Sequence, residues 1–154
     1  MTRRWFEDFT VGEAGTTGDC EVTEEGIIGF AEQYDPQPFH LDHDAARESL
    51  FGGLAASGWH TLSLANRLLV HGWLQDAAVA GAAGFDELRW RRPVYPGDRL
   101  SCRYEVAAAN DTPDQRFGEL RVIVEVVSQD DTVVMSMEWL PWLARRAHSG
   151  PRGS

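Results

Sequence analysis

Ser57-Gly58-Trp59-His60-Thr61-Leu62-Ser63-Leu64-Ala65-Asn66-Arg67-Leu68-Leu69-Val70-His71-Gly72-Trp73-Leu74-Gln75 is the long helical stretch of this chain, and the residues beyond it read as strand. Leu62, Ala65, Leu69 and Trp73 recur along one side, widened by Leu64 and Leu68. His60, Ser63, Arg67 and His71 recur along the other. The spacing predicts a helix from residue 58 to about residue 75, largely buried, with Ser57 as its N-cap. A buried helix that begins this way presents unpaired N–H groups and partial positive charge at its first turn, where a developing oxyanion is stabilised. Gly58 lets a ligand approach that backbone. The plainer reading is ordinary capping, with glycine for close packing.

Downstream, Leu100, Cys102, Tyr104 and Val106 alternate with Arg103 and Glu105. Residues 120–127 are almost continuously apolar or β-branched, and residues 133–140 alternate again. Residues 110–118 make a polar turn between strands, and residues 81–84, small and glycine-flanked, read as a flexible link. Upstream, Thr23 with Glu24 and Glu25 opens a helix whose apolar face is Ile27, Phe30, Ala31 and Tyr34, and Pro36 ends it. Residues 43–50 suggest a second short helix before the Gly52-Gly53 break. One long helix on an antiparallel sheet is an α+β layer arrangement. Residues 1–146 are expected to form a single domain, and residues 147–154 a frayed tail.

Composition bounds the function. The 154 residues, 43% hydrophobic, suffice for one core, and no apolar run is long enough for a membrane-spanning helix. The first eight residues have no apolar signal region, so a cytoplasmic protein is expected. Cys20 and Cys102 stand far apart, which suits a reducing compartment and neither a disulfide scaffold nor a zinc knuckle. A net charge of −10 disfavours nucleic acid or an anionic membrane as partner. All fourteen basic residues are arginine. Arg89, Arg91 and Arg92 are the densest cluster, suited either to phosphate or to no more than an outward-facing strand.

The chemistry concentrates in Tyr34-Asp35-Pro36-Gln37-Pro38-Phe39-His40-Leu41-Asp42. Two prolines stiffen this segment as a loop, and it carries a carboxylate and an imidazole five positions apart. These side chains exchange protons with small molecules near neutral pH. The alternative is that Asp35 caps a turn and His40 packs under Phe39. His40-Leu41-Asp42-His43 has too few convergent ligands for a metal site, so no metal is expected. Ser57 lacks the G-x-S-x-G elbow of a nucleophile. No G-x-G-x-x-G or P-loop is present, so no nucleotide cofactor is expected in those cradles.

Asp35 and His40 at this spacing, the adjoining Leu41-Asp42, and Ser57-Gly58 opening a long helix resemble the MaoC-type dehydratases, the (R)-specific enoyl-CoA hydratase group of the hotdog fold. The likeness is strongest from about residue 30 to residue 70, with a weaker echo in Arg92-Pro93-Val94-Tyr95-Pro96-Gly97-Asp98. It implies an antiparallel sheet wrapped around one central helix. It also implies a catalytic pair, Asp35 and His40, with the Gly58 amide as oxyanion donor. Tyr34, Gln37 and Phe39 depart from the family's usual glycine, asparagine and aliphatic residue, changes that bear on substrate preference and leave both proton-transfer groups in place. The resemblance implies reversible syn hydration of a trans-2-enoyl thioester to an (R)-3-hydroxyacyl product, with coenzyme A as part of the substrate, no separate cofactor, and a homodimer. Ser57, Phe39, Trp59 and Phe51 are the candidates for binding substrate, with Trp73 as a further tunnel residue. The competing readings are a hotdog thioesterase, disfavoured because no Asp or Glu occurs in residues 58–75, and a catalytically silent acyl-binding or partner subunit.

Overall fold

A computed structural model describes residues 2–147, and the expected tail beyond residue 147 lies outside the described residues. Thr23 caps α1 (Glu24–Tyr34) by accepting the Gly26 N–H at 3.0 Å, with Glu24 and Glu25 in the first turn. Two short helices come next, α2 (Pro38–Leu41) and α3 (His43–Arg47). The loop expected at residues 34–42 therefore contains a helical turn, started by Pro38 at its first position and too short to show periodicity. The long helix α4 spans Gly58–Gly72. It stops short of residue 75 because Trp73 leaves helical geometry, its N–H still bonded to the Leu69 carbonyl.

Six strands, β1 (Ala14–Thr16), β2 (Cys20–Glu21), β3 (Val79–Trp90), β4 (Arg99–Asp111), β5 (Phe117–Val127) and β6 (Val133–Ala144), form one antiparallel sheet. The order is β1-β4-β5-β6-β3, with β2 also on β4. Strands β4 and β6 alternate as expected, and β5, read as an almost continuous apolar run, alternates too. Leu100, Cys102 and Val106, then Leu120, Val122, Val124 and Val126, then Met135, Met137 and Trp139 turn inward onto α4. Thr61, Ala65 and Leu69 are the deepest residues of that helix on this side, and the Cys102 thiol reaches the Ala65 carbonyl at 3.7 Å. Burial pushes the Cys102 thiol up to about 12, as expected of a structural cysteine.

Two further expectations are corrected. Residues 81–84 are part of β3 rather than a link. This edge strand slips register three times against β6, and Gly84 at φ +144° and Glu87 at φ +53° absorb the bulges. The helix faces also differ at one position. His60 is buried, stacked on Phe30 of α1 with centroids 4.9 Å apart, because α1 packs across the start of α4. Ser63, Arg67 and His71 are exposed as expected.

Candidate active site

Asp35 sits where α1 is forced to end. Its N–H still bonds the Ala31 carbonyl at 3.0 Å, its backbone leaves the helix at φ −152° and ψ 67°, and Pro36 bars continuation. The Gln37 N–H then returns to the Asp35 carbonyl at 2.7 Å, and Pro38 starts the turn of α2 that carries His40. The stiff bend thus projects an acid and an imidazole toward one place.

The His40 ring is almost fully buried, and its Nδ1 lies 2.6 Å from the Ala55 carbonyl. A carbonyl only accepts, so Nδ1 holds a hydrogen and Nε2 is the ring nitrogen left to face the acid. That Nε2 is 3.4 Å from Asp35 Oδ2. The same Oδ2 accepts the Ser57 hydroxyl at 2.7 Å, and Ser57 Oγ in turn accepts the Trp59 N–H at 3.2 Å. One serine oxygen therefore caps α4 and fastens the carboxylate to its first turn.

Asp35, His40 and Gly58 line one cleft of about 560 Å³. Buried Ala56, Thr61 and Val134 lie at its inner side, and Phe51, Trp59 and Trp90 form much of its walls. Among the described hydrogen bonds the Gly58 N–H has no protein acceptor. Close packing, the plainer of the two readings of this glycine, is what the structure shows. A Cβ at position 58 would lie 2.5 Å from Trp90 Cε2, and the Trp90 indole N–H donates to the Gly58 carbonyl at 2.9 Å. The glycine admits the indole, which packs edge-to-face on Trp59 at 5.9 Å. Sequence reasoning missed Trp90, whose contact with Gly58 joins residues 32 positions apart.

The remaining candidates separate cleanly. Phe51 and Trp59 line the cleft. Phe39 stands behind it, edge-on to His40 at 4.6 Å and against Phe51 at 5.3 Å. Ser57 is fully buried and acts on Asp35 rather than on the cleft space. Trp73, at the far end of α4, stacks on Tyr104 at 4.2 Å and donates to Glu13, so it takes no part in the cleft. Asp42 caps α3 through the Ala45 N–H and His43 pairs with Glu24, so these residues do not converge with His40. A larger hollow of about 660 Å³ lies elsewhere, lined by Glu7, Asp111, Asp114, Arg116 and Arg145, whose charges already pair with one another.

Comparison with known proteins identifies the family and the fold. Residues 9–137 match the family model described as MaoC like domain. The crystal structure of the MaoC-like dehydratase from Rhodospirillum rubrum is 38% identical, covers 93% of this chain and 98% of its own, and superposes with a TM-score of 0.85. The 3-hydroxybutyryl-CoA dehydratase of Methylorubrum extorquens is 29% identical over 148 residues, covering 96% of this chain and 88% of its own. A Mycobacterium tuberculosis protein described as having a double hotdog fold shares the fold at a TM-score of 0.76 and 19% identity, over 97% of this chain and 46% of its own.

Proposed function

The chain belongs to the MaoC-like family of hotdog dehydratases, and from that premise we propose that it is an (R)-specific enoyl-CoA hydratase, adding water reversibly to a trans-2-enoyl thioester. The observation that carries the reading is the meeting of Asp35 Oδ2 and His40 Nε2 at 3.4 Å in the cleft that Gly58 also lines. With Nδ1 held by Ala55, the ring can offer only Nε2 to a water, and Ser57 holds the carboxylate beside it. The pair takes one proton from the water as its oxygen bonds to C3, and returns one proton to C2. Negative charge that builds on the thioester oxygen is met by the Gly58 N–H at the positive end of α4, a contribution of about 3 kcal/mol for one such donor. Both proton-transfer groups come from one bend, so the two new bonds form on the same face of the alkene. Acid–base assistance of this kind supplies roughly 10² to 10⁴ in rate.

The substrate is then an acyl-CoA thioester, and coenzyme A enters as part of it. A thioesterase is disfavoured because α4 bears no carboxylate from Gly58 to Gly72. The test follows ultraviolet absorbance of the conjugated enoyl thioester together with free thiol. Bleaching without thiol release supports hydration. Thiol release would replace the reading with hydrolysis, and no change in either signal would leave an acyl-binding role.

A further inference from the structure

In a chain of net charge −10, arginines are expected to find carboxylates, and most do. Arg4, Arg47, Arg89, Arg99, Arg103, Arg116, Arg121, Arg145 and Arg146 all form ion pairs. Among the described residues Arg3, Arg67, Arg91 and Arg92 have no carboxylate partner. Two of these four are adjacent, and both line the cleft that holds Asp35 and His40. Their neighbour Arg89 pairs with Glu87 and does not line it.

The backbone explains how two successive residues both come to line this cleft. In a regular strand their side chains would point to opposite faces. Here the N–H groups of Arg91 and Arg92 both donate to the Val134 carbonyl, at 2.8 and 3.2 Å, a bulged end to the β3–β6 pairing that interrupts the alternation. Pro93 restricts the chain immediately afterwards. Arg91 is also held through its Nε, which donates to Ser136 Oγ at 2.8 Å and leaves the terminal nitrogens for another acceptor. Both arginines are exposed, whereas Ala56, Thr61 and Val134 are buried, so the cationic end of the cleft is its mouth.

We propose that Arg91 and Arg92 together grip the phosphate groups of the coenzyme A handle while the acyl end enters toward Ala56, Thr61 and Val134. The proposal rests on the hydratase reading of this cleft. Arginine forks match phosphate oxygens in geometry, and a local pair of cations is required because the overall negative charge repels a polyanion. A carboxylate on the acyl group would enter with the apolar end and away from the exposed arginines, so the anion is assigned to the handle.

The test compares crotonyl-CoA with crotonyl-N-acetylcysteamine, which has the thioester and no phosphates. In R91Q/R92Q the ratio of kcat/KM for the two substrates should fall about a hundredfold, roughly tenfold for each charge-assisted hydrogen bond removed. R89Q serves as the control and should keep the wild-type ratio. An unchanged ratio in R91Q/R92Q, or an equal fall in R89Q, would overturn the assignment. Calorimetric titration of free coenzyme A separates this from the hydratase reading. Arginine-dependent binding by a protein that hydrates neither thioester would support the grip and reject the hydratase, and wild-type hydration without arginine-dependent binding would do the reverse.

Discussion

At the scale of single residues, Asp35 and His40 were legible because both lie on one short proline-marked segment whose spacing is visible in the chain. Ser57 was legible only as a cap. Its bond to Asp35 joins residues 22 positions apart, a relation that no local pattern contains. His60 was misplaced for a similar reason, since α4 alone does not reveal that Phe30 will cover it. That burial has a measurable consequence. Desolvation, with a smaller contribution from Arg67, holds the His60 ring below its ordinary value of 6.5, and its Nδ1 has no hydrogen-bond partner. The unfolded chain therefore takes up a proton that the folded ring resists. Stability is full above about pH 6.5 and falls as the pH drops below that value toward the lower folded pKa. Glu7 and Glu13, held below their ordinary 4.5, lose their contribution only in a more acid window. Urea unfolding at about pH 7.5 and pH 5.5 should show a fall in midpoint for the wild type and a smaller one for His60→Phe. Equal falls in the two proteins would refute this account of His60.

Among the elements, α1, α4 and strands β4 to β6 were readable because each keeps one period long enough to register against a single buried face. Strand β3 was not, since its bulges break the two-residue alternation and its residues are mostly exposed, so small side chains resemble a linker. Helix α2 is one turn long, below what periodicity detects. The unforeseen meeting of β3 with α4 at Trp90 and Gly58 carries a prediction about packing. Gly58→Ala drives a Cβ to within 2.5 Å of the indole, and overpacking of this kind costs about 1–3 kcal/mol. Trp90→Ala removes the obstacle, so adding Gly58→Ala to it should cost much less than in the wild type. A double-mutant cycle from denaturant unfolding measures the coupling, and additive effects would contradict the packing account.

At the scale of the whole molecule, the α+β layering of the described residues was legible from the order of helices and strands, whereas the assembly was not. Strand β3 leaves a free sheet edge, and Trp59, Phe85 and Trp90 are all more than two-fifths exposed. Edge strands and apolar surface of this kind are commonly protected by association, so a homodimer is the expected state. Sedimentation equilibrium should return twice the chain mass at micromolar concentration, and a monomer at that concentration would reject this expectation. The central claim concerns the joint action of Asp35 and His40 in the cleft at the start of α4. Its most direct measurement is the hydration rate of crotonyl-CoA by the wild type, Asp35→Asn and His40→Gln, with circular dichroism recorded on each. The account predicts wild-type turnover and a loss of roughly 10² or more in each variant with an unchanged spectrum. Full turnover by either folded variant would contradict it.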